Sequence, residues 1–529
     1  MMGVKERHFS PLPREVSLED LVPKDNFYRL LEEKLDLSFV RDLVRPLYAE
    51  GGRPSVDPVV FFGLQLVMFF EGLRSERELM RVAADRLSVR WFLGYDLHEP
   101  LPDHSCLTRT RERFGLEVFR WFFERIVEMC IEAGLVRGEE LFFDSTKVKA
   151  NADVDSLCSR SLVENHLGEL FKDGCEETET GNPDTPPALA EAVLPTAENR
   201  ELLEKNLQKS DWISRAGRQD RAFTSGARKR TADMRVSRTD PDATPMPTGE
   251  SETKLGYQTH YVIDGGKARI ILNALVAPFE VSENRPMLDL LWRGCFRWKL
   301  RPHHVSADGI YGTAENIADI EKAGIRAYVA LHEAGGRKQK FFPKSAFIYD
   351  VEKDLYACPG DEFLRFTTVQ GDQGKRYKAR AKACSACSLK PQCTTNKEGR
   401  TLFRHFDEEY LDRVRSYRDI EPYKKALRKR KVWIEPLFAE AKDWHGMRRF
   451  RLRGLKRVNI EALVIAAGQN IKRLLTFAAR KPKRLAQAAA LHPPVFVDRG
   501  FRRIRAHRVG RLQWLTNPVL QQPGSFLGQ

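Results

Sequence analysis

The chain has 529 residues, 42% of them hydrophobic, with 88 Lys plus Arg against 73 Asp plus Glu and a formal net charge of +15. That length excludes a mini-protein and gives room for two to four domains, because single cores stop growing near roughly 250–300 residues. The basic excess, interleaved with Trp and Phe, predicts an acidic polymer as partner, while nine cysteines in so long a chain argue against a disulfide framework.

Residues 1–136 read as an all-helical domain. MMGVKERHFSPLPREV lacks the apolar stretch of a secretory signal, and the longest apolar run, Pro58 to Phe70, is too short for a bilayer and carries Gln65. A cytoplasmic chain with no membrane partner is expected. In DPVVFFGLQLVMFFEGL, Asp57 suits the N-cap and Pro58 the first helical position. The helical pattern continues through ERELMRVAADRL and LEVFRWFFERIVEMCIEAGL. In PDHSCLTRTRERFG, Asp103 or Ser105 caps a helix carrying Arg109, Arg111 and Arg113, a face that suits either DNA or water.

The pattern changes at Glu139. Strands are expected at 139–149, 254–264 and 268–278, the last two joined by the turn DGGK. A helix at 283–298, a strand at 303–308, a helix at 313–324 with a Gly stop, and a strand over IRAYVAL follow. The alternation gives a mixed α+β domain over 137–480 with two insertions. The first, 155–250, turns from acidic to basic at Arg228, Lys229 and Arg230 and reads as linker-like; the second, 331–420, holds a cysteine cluster. A basic helical stretch closes the domain, and the Pro- and Arg-rich tail 481–529 is expected to be poorly ordered.

Three carboxylates stand out. Asp144 follows the apolar run Leu141–Phe143 in LFFDSTKVKAN, and Asp308 ends the short β-rich run HHVSAD before a glycine. Charges at such points need a partner, a turn to cap, or a cation. Glu435, in KVWIEPLFAEAKDWHG, lies in a stretch from Arg428 to Arg457 with eleven Lys or Arg against three acids, so a plain salt bridge is the alternative for it. Pro436 disfavours helical geometry in the residue before it, which predicts Glu435 at a helix entrance. Two strand aspartates and a helix glutamate could together hold two divalent ions that serve phosphoryl transfer.

Cys358, Cys384, Cys387 and Cys393 form C-x25-C-x2-C-x5-C. The C-x2-C pair has the local geometry of a zinc knuckle, against which stand four reduced, buried cysteines. RRFRLRGLKR, residues 448–457, suits phosphate contacts through Arg448, Arg449, Arg451 and Arg453. EALVIAAGQNIKRLLTF reads as a packing helix of the core.

These stretches, with SRTDPDA, KLGYQTHYVID and VSADGIYGT, appear in an order that resembles the bacterial insertion-sequence DDE transposases, whose helical N-terminal domain precedes a ribonuclease-H-like catalytic domain. The resemblance implies that Asp144, Asp308 and Glu435 form the catalytic triad and bind two Mg²⁺ or Mn²⁺ ions. It makes Lys442, seven residues beyond Glu435, a lysine near the DNA, with Arg428 and Lys431 standing where many relatives have Tyr and Arg. It implies double-stranded DNA partners (terminal inverted repeats and a target), at least a homodimer during reaction, and a nucleoid-associated cytoplasmic location. Similar cysteines in relatives favour the structural Zn²⁺. A DNA-binding regulator with an inactive domain, or a nuclease that never joins strands, would share these features.

Overall fold

The computed structural model describes residues 17–48, 51, 55–159, 235–248, 252–331, 341–371 and 373–478. The 481–529 tail and most of the 155–250 insertion, with Arg228, Lys229 and Arg230, lie outside them. The described residues divide into two compact units, the first drawn from those within 17–138, 144–285 and 433–478, the second from those within 139–143 and 286–432.

The first unit begins with seven helices: α1 (Leu18–Leu21), α2 (Phe27–Lys34), α3 (Phe39–Val44), α4 (Pro58–Phe70), α5 (Glu76–Asp85), α6 (Leu87–Leu93) and α7 (His104–Glu132). Asp57 caps α4 by accepting from Val59 N at 2.8 Å, with Pro58 in the first turn as expected. Phe61, Phe62, Leu64, Leu66 and Val67 of α4 are fully buried, and Phe62 stacks on Phe122 of α7 at 4.3 Å. Burying each such side chain stabilises by about 1.5–3 kcal/mol, which makes α4 the hub of the helical layer. Asp103, rather than Ser105, is the cap of α7, accepting from Ser105 N at 2.8 Å.

Strand β1 (Glu140–Lys149) belongs to both units. In the first unit β2 (Leu157–Ser159) and β3 (Arg235–Ser237) form a small ribbon, and β5 (Thr253–Asp264) pairs antiparallel with β4 (Thr244–Pro247) and β6 (Ile271–Pro278). Beyond Gly256 every residue of β5 is buried, the pattern of a strand covered on both faces.

In the second unit Glu140, Leu141 and Phe142 pair in parallel with His304, Val305 and Ser306 of β7 (His304–Ala307), and β7 pairs in parallel with β8 (Arg326–Val329). Helix α8 (Met287–Trp298) leads into β7, and α9 (Ala314–Lys322) makes the β7–β8 crossover that parallel strands require. The first unit thus holds antiparallel pairs and the second parallel ones, the mixed strand arrangement that was expected. The segment 331–420 contains a sheet that sequence analysis did not foresee, in the order β13-β12-β11-β10-β9: β9 (Ile348–Asp350), β10 (Leu355–Ala357), β11 (Phe363–Gln370), β12 (Gly374–Lys378) and β13 (Thr401–His405). Its core is Phe347, Tyr356, Leu364, Tyr377, Ala379 and Leu402.

Helix α10 spans Glu421–Trp444 and α11 spans Leu455–Ala478. In the first unit α11 is a packing helix, as its apolar face predicts. Two of its asparagines imitate a neighbouring strand: Asn459 bonds both N (2.8 Å) and O (3.0 Å) of Val276, and Asn470 bonds both N (2.9 Å) and O (2.8 Å) of Ile271. They satisfy ladder positions on β6 that would otherwise need another strand. Among the described residues no helix is long and apolar enough to cross a membrane.

Candidate active site and nucleic-acid interface

Asp144 sits half-buried within β1, where its Oδ1 accepts from Ser145 N at 2.9 Å. The Ser145 hydroxyl donates to Glu283 at 2.9 Å and accepts from Gln258 at 2.8 Å, so a polar cluster surrounds the residue after Asp144. Neither Glu283 nor Gln258 was singled out from sequence. Asp308 follows β7 and caps the short turn Gly309–Tyr311, accepting from Gly309 N at 2.6 Å. It is exposed and pairs with no cation among the described residues.

Glu435 departs from expectation. It lies inside α10, which begins at Glu421 and continues through Pro436, instead of at a helix entrance. Packing overrides the local preference: Ile434, Leu437, Phe438 and Ala441 form a buried stripe, Phe438 stacks on Tyr261 at 4.6 Å, and Gln469 donates to Leu437 O at 2.8 Å. Pro436 is on the exposed side, with Val432 60% exposed, where water can reach a carbonyl that proline cannot bond. Glu435 itself is exposed and makes no hydrogen bond or ion pair among the described residues, so the salt-bridge alternative fails. Lys442 shares its helix face at i+7 and is half-buried, and burial followed by the Arg448 charge lowers its ammonium pKa. Arg428 and Lys431 are exposed on α10, Arg428 ion-paired with Glu421.

Asp144 and Glu435 belong to the first unit and Asp308 to the second. As donors all three suit a hard divalent ion, and Asp308 Oδ2 and both Glu435 oxygens are uncommitted. Among the described residues, however, no three His, Cys, Asp or Glu side chains are already gathered as a metal centre.

The arginine segment is a rigid loop. It opens at Gly446 (φ 73°) and closes at Gly454 (φ 83°), left-handed conformations that favour glycine. Between them, Lys149 N donates to Arg448 O at 3.2 Å and Phe450 N to Lys149 O at 2.9 Å, extending β1, and Phe450 is fully buried. The Glu461 carboxylate accepts from Arg451 N and Leu452 N, each at 3.0 Å. Asp240 of SRTDPDA accepts from Gly454 N at 3.0 Å and Asp242 from Leu455 N at 2.7 Å. The acids that anchor this loop went unnoticed in the sequence, although SRTDPDA was distinctive. The loop's side chains differ. Arg448 is exposed and ion-paired with Asp443, and Arg449 is exposed and donates to Asn151 Oδ1 at 3.0 Å. Arg451 pairs with Glu76 at 3.0 Å, and Arg453 is exposed and donates through Nε to Asn151 O at 2.9 Å.

In the second unit Cys358, Cys384, Cys387 and Cys393 all line one cavity of about 330 Å³. Burial, with the other three thiols adding to it, raises the Cys393 thiol pKa. The four converge, but not as a ready metal centre.

The family described as Transposase domain (DUF772) matches residues 16–113, and the family described as Transposase DDE domain matches 357–475. The second match contains Glu435, Lys442, the arginine loop and all four cysteines; Asp144 and Asp308 lie outside both matches. No curated protein and no solved structure gives a significant match. The chain thus carries a helical transposase domain near its start and a transposase DDE domain at the end of its mixed-sheet region, which supports an insertion-sequence DDE transposase.

Proposed function

We propose that this transposase cuts the phosphodiester at each end of its element and joins the freed 3′-hydroxyl to target DNA, with Asp144, Asp308 and Glu435 as the catalytic carboxylates. The observation that carries the reading is the state of Glu435. In a strongly basic stretch of the chain it remains exposed and, among the described residues, unpaired, as a group kept for a ligand would be. Water attacks phosphorus in line and the 3′-oxygen leaves; that 3′-hydroxyl then attacks a target phosphorus and displaces a second 3′-oxygen. Two Mg²⁺ or Mn²⁺ ions held by the carboxylates would activate the attacking oxygen and stabilise the leaving one. Lys442, Arg428 and Lys431 on α10 and Arg448, Arg449, Arg451 and Arg453 in the loop bind DNA phosphates, and pairing two element ends takes two copies of the chain. The 1–136 segment serves as a DNA-binding domain and 137–480 as the ribonuclease-H-like catalytic domain.

Asp144→Asn, Asp308→Asn and Glu435→Gln should each lower cleavage of an element end by roughly a thousandfold or more while DNA binding persists. Retained cleavage in any of them removes that residue from the mechanism. Joined donor–target products support transposition, and products that are only nicked support a nuclease.

The four cysteines are proposed as ligands of one structural Zn²⁺, supported by thiols lining a common cavity and by the preference of thiolates for this ion. Metal analysis of purified protein should find one zinc per chain, lost on Cys384→Ser with Cys387→Ser. A zinc-free, fully folded chain would refute it.

A further inference from the structure

Within the first unit, α7 and the arginine loop line a cleft of about 370 Å³. Its walls include Thr108, Arg111 and Glu112 from one turn of α7, Asn151 beyond β1, and Arg451, Arg453 and Arg457. Arg111 was expected on a face open to DNA or water, yet it is 2% exposed. Its guanidinium and that of Arg451 converge on the same Glu76 oxygen, Oε1, while Thr108 donates to Oε2 at 3.1 Å. One carboxylate thus serves two buried or half-buried cations, and Arg111 Nε has no hydrogen-bond partner among the described residues. Burial, aggravated by the Arg451 charge and opposed by Glu76, lowers the Arg111 pKa.

At the mouth of the cleft Arg457 pairs with Glu112 at 2.7 Å, both about half exposed. Arg453 has no carboxylate partner among the described residues. Four guanidinium groups therefore gather about a concave site, where only Glu76 and Glu112 pair with them among the described residues. Loop amides are already committed to Glu461, Asp240 and Asp242, so the side chains, not the backbone, are free to receive an anion. Guanidinium forks match phosphate oxygens, and the open mouth at Arg453 and Arg457 admits a polymer.

We propose that this cleft binds two consecutive phosphates of a DNA strand, with Arg453 and Arg457 as the entering contacts and Glu112 as a built-in competitor that Arg457 leaves when DNA arrives. The proposal rests on the DNA-binding reading above. The N-terminal transposase domain and the DDE domain then build one backbone-binding site between them, which adds affinity without reading sequence.

The test uses the full-length chain and labelled random-sequence duplex DNA, with affinity measured across a salt series. Arg453→Ala with Arg457→Ala should weaken binding by roughly tenfold to a hundredfold and lower the slope of log affinity against log salt by about two. Glu112→Gln should shift affinity the other way, tightening it roughly threefold, an outcome that misfolding does not produce. Wild-type binding that both changes leave unaltered overturns the cleft alone. Absence of binding by the wild-type chain overturns the DNA reading and the cleft with it.

Discussion

Asp240 in SRTDPDA and Asp308 in VSADGIYGT are both aspartates beside turns, yet the protein treats them in opposite ways. Asp240 is fully buried; it accepts from the Tyr257 hydroxyl at 2.6 Å and from Gly454 N at 3.0 Å, holding the end of the arginine loop. Asp308 is exposed, and among the described residues its carboxylate accepts only the N–H of the next residue. A buried carboxylate persists only where donors replace its hydration, and those donors then depend on it in turn. An exposed carboxylate with no such donors stabilises little and stays available for a ligand. One segment spends its charge on architecture; the other leaves its carboxylate exposed, as the role proposed for Asp308 requires.

The sharpest way to break this contrast is to remove each group and measure stability. Asp240→Ala leaves the Tyr257 hydroxyl and the Gly454 amide without their acceptor and should cost about 3–5 kcal/mol in denaturant unfolding. Because the loop end is released, DNA affinity should fall as well. Asp308→Asn should change stability by no more than about 0.5 kcal/mol while cleavage collapses. If Asp308→Asn proves as destabilising as Asp240→Ala, Asp308 is an architectural residue and its catalytic assignment fails.

The same contrast explains what could be read from sequence. Asp57–Pro58 at the start of α4 was legible because capping is local, and β5 and β6 were legible because their apolar runs and the intervening DGGK turn are local too. By type and order the proposed carboxylates Asp144, Asp308 and Glu435 could be noticed. Their surroundings could not: that Glu435 stands mid-helix follows from Leu437 and Phe438 packing against distant residues, which outweighs the local effect of Pro436. Arg111 looked like its neighbours Arg109 and Arg113 until Glu76 and Arg451 were brought to it. The β9–β13 sheet was missed because its strands are short and β11 has only Leu364 buried, so alternation hardly registers.

A titration of His260 extends the comparison from anions to a cation. This imidazole lies on β5, 2% exposed, with no hydrogen-bond partner at Nε2 among the described residues, and burial pushes its pKa down from 6.5 to about 3. In the unfolded chain the group protonates near pH 6.5, whereas in the folded protein it stays neutral until about pH 3. Between those values the unfolded state binds the extra proton, so folding stability is fully present above the unfolded pKa and declines as pH falls toward 3. From pH 7 to pH 5 the His260 contribution to this loss should be about 2 kcal/mol. Titrating carboxylates overlap at the acid end, so the quantity to measure is the difference between wild type and His260→Leu, each unfolded in denaturant at pH 7, 6 and 5. The substitution should flatten the decline by about that amount whatever it does to stability at pH 7. Equal slopes in the two proteins would mean that the imidazole acquires its proton inside the fold, and that burial on β5 does not exclude a charge even without the kind of hydrogen-bond partners that hold Asp240.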